Sequence, residues 1–446
     1  MINILRKIIP QTSLIRTFYS HTKAILANAM YGFPAKDLTI IGVTGTDGKT
    51  TTTEMIYHIL EKSGRPVAKI SSASFSMKNS TWENKTKRTT VSPFKMQKFL
   101  KQCIKEDIGT VVLEVSSHAI HQKRIFGIKF DIAVLTNISH EHLDYHKTID
   151  NLRDTKKLLF TKYLEKDGVA ILNQDDEVTE LWKKDIQGEV ITYGFSDKSQ
   201  NKITHFKDTK EGISFNLKDT KFTANVFGKF NTENATAAIL TALAIGHKDS
   251  EIKKNLKDFT GIKGRLENLD FGQDFEVFVD FAITPKALKS VLSYLKERTP
   301  GRVILVFGAT GSHDQEKRRP MAHIARDYAD IIVITDDETY NENGDDIRKE
   351  LREAIFENQE INHRESDTFF EIADRKIAIE QAIMMAKTGD SIIISGMGSL
   401  ESRNMQGKEI PWSDQQIIAD CFTNMINFKL KQLKSQKQGN SGKCKA

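Results

Sequence analysis

The sequence predicts an α/β protein, with a central P-loop domain on a mostly parallel sheet and a C-terminal Rossmann-like α/β domain. Three observations predict it. Short runs of buried-strand character alternate with helical periodicity along most of the chain. A glycine-rich turn joins the first such strand to its helix. The alternation stops at a glycine-punctuated stretch, Gly261–Gly264, and then resumes. A chain of 446 residues has room for two or three domains. Its 39% hydrophobic and 28% charged residues suit a globular protein, and no apolar run approaches the ~18 residues of a spanning helix.

Residues 1–37 read as a basic amphipathic arm. Ile4, Leu5, Ile8 and Ile9 precede Pro10 as a short helix, and a longer helix is expected from Thr12 to Met30. The arm has neither the continuous apolar region nor the A-x-A-like site of a secretory leader. It is expected to dock on the body, with peripheral contact to a membrane surface or another protein as the alternative.

The central domain, 38–262, opens with a strand from Leu38 and a helix from Lys49 to Lys62. Strands Thr110–Val115, Ile132–Leu135 and Val169–Leu172 follow, with helices Pro93–Lys105 and Asn151–Leu164 between them. Val190–Tyr193, Ile213–Leu217 and Phe222–Val226 read as antiparallel additions, and helix Asn234–Gly246 closes the unit. The C-terminal domain, 263–430, repeats the alternation. Its strands are Val277–Val279, Val303–Phe307, Ile331–Thr335 and Ser391–Ser395; its helices are Pro285–Glu297, Pro320–Tyr328, Asp345–Phe356 and Arg375–Lys387. Residues 431–446 form a basic tail that its Lys/Gln/Gly/Ser composition marks as disordered.

Net charge is +6, but the arm to Lys36 carries +5 and the segment from Lys429 carries +6, leaving −5 on the body. An excess confined to two ends argues against nucleic-acid binding. Cys103, Cys421 and Cys444 are far apart and fit no zinc spacing, so they read as reduced thiols of a cytoplasmic protein.

The segment that carries chemistry runs from Ile41 to Thr53. Its glycines let backbone N–H groups turn inward around phosphate oxygens, the following helix adds positive potential, Lys49 supplies a cation, and Thr50 can reach Mg²⁺. Val43 stands where the strict G-x-x-x-x-G-K-[ST] pattern has its first glycine. Gly45-Thr-Asp-Gly-Lys-Thr50 resembles instead the G-T-[ND]-G-K-T loop of the Mur ligase family. Further blocks match in order: Leu113-Glu-Val-Ser-Ser-His-Ala119, Thr136-Asn-Ile-Ser-His-Glu-His-Leu-Asp-Tyr-His146, Asn151-Leu-Arg-Asp-Thr-Lys-Lys-Leu-Leu-Phe160, Gly228-Lys-Phe-Asn-Thr-Glu-Asn-Ala235, Gly264-Arg-Leu-Glu267 and Val279-Asp-Phe-Ala-Ile-Thr-Pro285. The resemblance spans 38–425 and is strongest to the tripeptide-synthetase branch, which adds the third amino acid.

That resemblance implies an ATP- and Mg²⁺-dependent ligase in which a carboxylate attacks the γ-phosphate and an amine displaces the resulting acyl phosphate. Carried over residue by residue, Gly45, Thr46, Asp47, Gly48, Lys49, Thr50 and Thr51 would hold the phosphates. Thr50 and Glu114 would bind a first Mg²⁺, and His142 a second. Lys156 aligns with a lysine that the family carbamylates, with Lys157 one position away. Asn231 and Asn234 would face adenine, with helix capping the rival role for Asn231. Arg265 and Asp280 would reach the γ-phosphate and ribose. Thr89, Thr90, Ser116, Ser117 and Arg124 match positions that hold the nucleotide-sugar peptide, while His140 and His146 read as local hydrogen-bonding groups.

Three departures matter. Only 43 residues precede Thr44, where the family has roughly a hundred forming a uridine-nucleotide domain; the handle is then held differently, gripped by a partner, or replaced by another acceptor. The loops that read the incoming amino acid are Asp336-Asp-Glu-Thr-Tyr340 and Gly396-Met-Gly-Ser-Leu400, with Tyr340 in place of a carboxylate-clamping arginine. Charge alone makes Asp336, Asp337 and Glu338 candidates for a basic amine such as lysine. Ile283 replaces a histidine. The expected activity is addition of an amino acid to the peptide of a UDP-N-acetylmuramoyl cell-wall precursor by a monomer. The alternatives are a folylpolyglutamate-synthase-like ligase and a weakly hydrolysing nucleotide-binding scaffold in a wall-synthesis complex.

Overall fold

Strand β1 (Thr39–Thr44) is buried on both faces, and its Ile40, Ile41 and Val43 are fully enclosed. Such a strand belongs in the middle of a parallel sheet. In the computed structural model it lies there, parallel to β5 (Thr110–Glu114) on one side and β6 (Phe130–Leu135) on the other. Gly42 is needed for this packing, since a Cβ there would lie 2.5 Å from the Phe130 ring. The structure describes residues 14–441 apart from Asn79, Lys85, Lys87, His140, Lys210, His313 and 358–366, and no side chains for Leu14, Asp144 or 428–441. The chain divides into two units at Gly261/Ile262.

In the first unit β1 follows α1 (Leu14–Tyr31) and leads into α2 (Lys49–Lys62), β2 (Val67–Ile70), β3 (Ser74–Met77) and β4 (Ser80–Glu83). Next come α3 (Pro93–Lys105), β5, α4 (Ser117–His121), β6, α5 (Leu143–His146), α6 (Ile149–Leu158) and β7 (Leu164–Asn173). The unit ends with α7 (Val178–Trp182), β8 (Glu189–Gly194), β9 (Asn201–Thr209), β10 (Gly212–Leu217), β11 (Thr220–Ala224), α8 (Lys229–Ala244) and α9 (Asp249–Lys257). The eleven strands form one sheet in the order β11-β10-β9-β8-β7-β6-β1-β5-β2-β3-β4. From β9 to β2 the pairings are parallel, and antiparallel hairpins extend both edges.

The expected helix Asn151–Leu164 ends early. A π turn at Leu159–Tyr163 buries Leu159, Phe160 and Tyr163, and the backbone turns extended at Leu164 to begin β7. Helix α8 starts five residues before expected because Gly228, at φ 89°, caps it. Strands β2, β3, β4 and β9 of this unit are not among those expected; β4 and β9 lie half in solvent and carry mixed polar residues.

The second unit holds β12 (Glu267–Asn268), β13 (Glu276–Asp280), α10 (Pro285–Arg298), β14 (Val303–Phe307), α11 (Arg318–Tyr328), β15 (Ile331–Ile334) and α12 (Gly344–Ile355). It continues with β16 (Phe369–Glu371), α13 (Arg375–Met385), β17 (Ser391–Ser395), the hairpin β18 (Ser402–Met405) and β19 (Lys408–Pro411), and α14 (Asp414–Ser441). Its sheet runs β12-β13-β17-β14-β15-β16, parallel except for β12. The tail expected to be disordered from residue 431 continues α14 through Ser441, and 442–446, with Cys444, lie outside the described residues.

An ion pair without solvent contact ties α13 to α14. Arg375 donates from Nε to Asp414 Oδ1 at 3.0 Å and from Nη2 to Oδ2 at 2.8 Å, and Trp412 Nε1 adds 2.8 Å to Oδ1. Removing one partner leaves a buried charge uncompensated. Asp414→Ala is therefore expected to lower stability in urea unfolding by about 3 kcal/mol, and the paired change Arg375→Met with Asp414→Leu to recover most of that loss.

Candidate functional site

At the C-terminal end of β1 the chain enters the loop Gly45–Gly48, beside the strands where a doubly wound sheet opens a crevice. Gly45 and Gly48 have φ of 148° and 80°. A Cβ at Gly45 would sit 1.9 Å from Thr136 Oγ1, and one at Gly48 2.3 Å from Asn234 Oδ1. No other residue fits either place. Two residues quoted in a motif but assigned no role, Thr136 and Asn137, clamp the loop. Thr136 Oγ1 and Asn137 Nδ2 donate to the Asp47 carbonyl at 2.6 and 3.0 Å. Asn137 also accepts from the Thr46 N–H at 2.7 Å and the Asp47 N–H at 3.2 Å.

Lys49 folds back, its Nζ donating to the Thr46 carbonyl at 2.5 Å. Thr50 opens α2 with its Oγ1 3.2 Å from both oxygens of Glu114, the buried last residue of β5. Glu114 accepts further bonds from Ser72 N at 2.6 Å and Ser72 Oγ at 2.9 Å. Nothing in the sequence pattern singled out Ser72. Thr51, next to Thr50 on α2, is buried without a role of its own in this network.

Lys156 is 1% exposed, and its ammonium donates to the Gly45 carbonyl. Burial, aided by the nearby Lys49 charge, pushes its pKa down from 10.5 to about 7. Lys157 points the other way and pairs with Asp185 at 2.5 Å. The inward lysine of the two is thus Lys156.

The expected peptide-binding residues meet on one side of Glu114. Thr89 Oγ1 accepts from Ser72 Oγ at 3.1 Å, and Thr90 Oγ1 lies 3.0 Å from the Glu114 carbonyl and 3.2 Å from Ser116 Oγ. Arg124 donates to the Thr90 carbonyl, and burial brings its pKa down to about 10. Ser117 Oγ lies 2.9 Å from His146 Nε2, so His146 bonds locally as expected; His140 lies outside the described residues.

His142 stands half-exposed at φ 54°, 3.4 Å from Glu141 and edge-on to His118 at 4.6 Å. Burial, then the charges of His142 and His146, holds His118 at about 2, so it is neutral at physiological pH. Among the described residues no three His, Cys, Asp or Glu side chains converge to hold a metal. A cavity of about 460 Å³ adjoins the histidines, lined by His121, Tyr145, His146 and Asn151 among others.

The two asparagines on α8 are buried and bonded to each other. Asn234 Nδ2 donates to Asn231 Oδ1 at 3.0 Å, and Thr52 Oγ1 donates to Asn234 Oδ1 at 3.3 Å. Asn231 donates back to the Phe227 carbonyl at 2.7 Å; the cap itself is Gly228.

In the second unit, Asp280 ends β13 and accepts from the Leu266 N–H at 2.5 Å, while the Arg265 guanidinium lies 4.6 Å from the Phe281 ring centre. Asp336 is paired with Arg348, and burial still raises its pKa. Asp337 is buried, raised by burial, and accepts the Glu338 N–H at 2.9 Å. Glu338 accepts from Asn404 N at 3.0 Å and the Tyr340 hydroxyl at 3.3 Å. These carboxylates each bond groups of the protein itself. Arg403, on β18, was missed by the sequence reading: it is nearly buried, donates to the Asp336 carbonyl at 3.2 Å and stacks 3.7 Å over Trp412.

Lys156 makes a pH signature. Its pKa lies near 7 in the folded chain and at the ordinary 10.5 when unfolded, so between these values the unfolded chain binds the extra proton and stability rises with pH. The expected gain is about 2 kcal/mol from pH 7 to 9. Urea unfolding at both pH values should show that increment in the parent chain and its loss in Lys156→Met.

Two family models match the chain: the Mur ligase middle domain over residues 43–242 and the Mur ligase glutamate ligase domain over 264–398. Among curated relatives is a UDP-N-acetylmuramoyl-L-alanyl-D-glutamate--2,6-diaminopimelate ligase of Bacillus velezensis, 34% identical over 411 residues, covering 90% of this chain and 82% of that one. The protein of the same name from Aquifex aeolicus is 35% identical, covering 89% and 80%. A solved structure of such a ligase superposes with a TM-score of 0.63 at 26% identity, covering 92% of this chain and 83% of the other. Mycobacterium tuberculosis folylpolyglutamate synthase shares the fold at a TM-score of 0.67 and 17% identity, over 84% of this chain and 92% of its own. The phosphate loop and both domain matches agree, and the chain belongs to the Mur ligase family.

Proposed function

We propose that this ligase uses ATP to join an amino acid to the peptide carboxylate of a UDP-N-acetylmuramoyl precursor, releasing ADP and phosphate. The observation that carries the reading is the arrangement beneath the phosphate loop, where the Thr50 hydroxyl lies against the buried Glu114 carboxylate and Lys156 reaches the Gly45 carbonyl.

Making an amide from a carboxylate requires an activated acyl group, and a phosphate supplies the leaving group. The protein's work in such a transfer is positioning and neutralisation of charge. The loop from Gly45 to Thr51, at the start of α2, would cradle the phosphates, and Lys49 would leave the Thr46 carbonyl to meet the β- and γ-oxygens. Thr50 and Glu114 offer hard oxygen donors suited to Mg²⁺, an ion that keeps several waters and needs no closed cage; His142 would take part at a second ion. Held by these residues, Mg²⁺ would supply neutralisation of the phosphate charge. Lys156 fits carbamylation, because a buried amine with a pKa near 7 is partly neutral at pH 7 and so open to CO₂. The product is an anion where an ammonium would repel a cation. Thr89, Thr90, Ser116, Ser117 and Arg124 would line the peptide end, Asn231 and Asn234 the adenine, and Arg265 and Asp280 would serve the γ-phosphate and ribose. Asp336, Asp337 and Tyr340 would shape the amino-acid pocket through the bonds they already make rather than by free charge.

The test is phosphate release with ATP, Mg²⁺, UDP-N-acetylmuramoyl dipeptide and mixed amino acids, with mass spectrometry of the products. Turnover is expected only when precursor and amino acid are both present. Lys49→Ala should lower it roughly 100-fold or more with the fold retained. Lys156→Ala should fall similarly and regain part of its activity in added acetate, which restores a carboxylate; absence of any ATP-dependent product in the parent enzyme would reject the reading.

A further inference from the structure

Helix α1 turns its apolar side outward. Ala24, Ala27 and Asn28 are buried against the body, and the seat is specific. Asn28 Nδ2 donates to the Phe126 carbonyl at 2.7 Å, and the His21 ring meets Phe126 edge-on at 4.5 Å. Gly127, at φ 81°, leaves room for Asn28, since a Cβ there would lie 2.4 Å from its amide oxygen. With that face fixed, Ile15, Phe18, Tyr19, Ile25, Leu26 and Met30 project into solvent, Phe18 at 73% exposure and Met30 at 68%. At 3.6 residues per turn these six fall within an arc of roughly 140°. An ordinary surface helix buries such a stripe. Here the small residues face the body and the large ones do not.

We propose that this face of α1 is a docking surface for an anionic phospholipid bilayer, on which the protein lies peripherally. Charge selects the occupant. Residues 1–36 contain Arg6, Lys7, Arg16, Lys23 and Lys36 and no acidic residue. A second copy stacked on the stripe would bring two such segments together, and residues 1–13 folded over it would set Arg6 and Lys7 beside Arg16 and Lys23. A negative lipid surface accepts both the apolar stripe and the flanking cations. Tyr19, with the Lys23 ammonium 4.3 Å from its ring centre, has the amphipathic character of residues at a headgroup boundary. No helix among the described residues is long and apolar enough to cross a membrane, so the contact is with the surface. The inference does not depend on the ligase reading.

The experiment is co-sedimentation of the full chain with vesicles of phosphatidylglycerol and phosphatidylcholine, and with vesicles of phosphatidylcholine alone. Binding is expected to be at least tenfold stronger on the anionic vesicles, to weaken as salt rises, and to fall at least tenfold in the pair Phe18→Glu with Leu26→Glu. Circular dichroism and an unchanged melting temperature show that the pair still folds. The milder pair Phe18→Ser with Leu26→Ser, which leaves charge unaltered, should lose binding as well. Three outcomes overturn the proposal: no binding to either vesicle, binding untouched by both pairs, or a dimer in sedimentation velocity that the substitutions dissociate.

Discussion

Everything at the candidate site depends on the space left by two missing side chains. The loop after β1 can pass between Thr136 and Asn234 only because Gly45 and Gly48 have no Cβ; real Cβ atoms do not approach other atoms at 1.9 or 2.3 Å. That close passage brings the Asp47 carbonyl into the grip of Thr136 and Asn137, and it puts the Gly45 carbonyl within reach of Lys156. It also sets Thr50 at the first turn of α2, opposite Glu114. The loop is held from behind by Thr136 and Asn137, just past β6, and from the side by α8, so it has little freedom left to lose on binding an anion.

The parts legible in the sequence are those whose local pattern and tertiary fate agree. A strand buried on both faces, a glycine turn and a helix can be read from Ile41 to Lys62 because each demands its own residue types. The Thr50–Glu114 pair was legible through motif alone. Its support was not: Ser72 sits in a run of serines that carries no period, yet supplies two of Glu114's hydrogen bonds. The same holds at the edges of the large sheet, where β9 alternates Lys, Thr, His and Asp with few apolar residues and owes its place to pairing with β10. Helix Asn151–Leu164 was overextended because Leu158-Leu-Phe160 is equally apolar in a helix, a π turn or a strand entry; packing of Phe160 against Trp182 decides it.

Charge was the least legible property. Asp336, Asp337 and Glu338 look like an acidic patch in one dimension, but the partners that occupy them come from far along the chain: Arg348 on α12, and Asn404 on the hairpin after β17. A carboxylate's role is set by what is buried beside it, which no window of a few residues contains. The reverse applies to Arg403, an unremarkable residue in a polar stretch that becomes nearly enclosed between Trp412 and the Asp336 carbonyl.

Lys156 shows how burial converts a cost into chemistry. A fully buried ammonium a short way from Lys49 is a poor arrangement if it remains an ammonium, and its low pKa expresses that. Its hydrogen bond is to a backbone carbonyl, and the carboxylates of Glu141, Asp47 and Asp176 act on it without overcoming burial. Lys157, one residue on, escapes to the surface and finds Asp185. A protein that needed only a structural cation here could have used the same exit. Keeping the amine inside, with Glu141, Asp47 and Asp176 offsetting only part of the cost of burial, suits a group meant to react, which is the ground for the carbamylation proposed above.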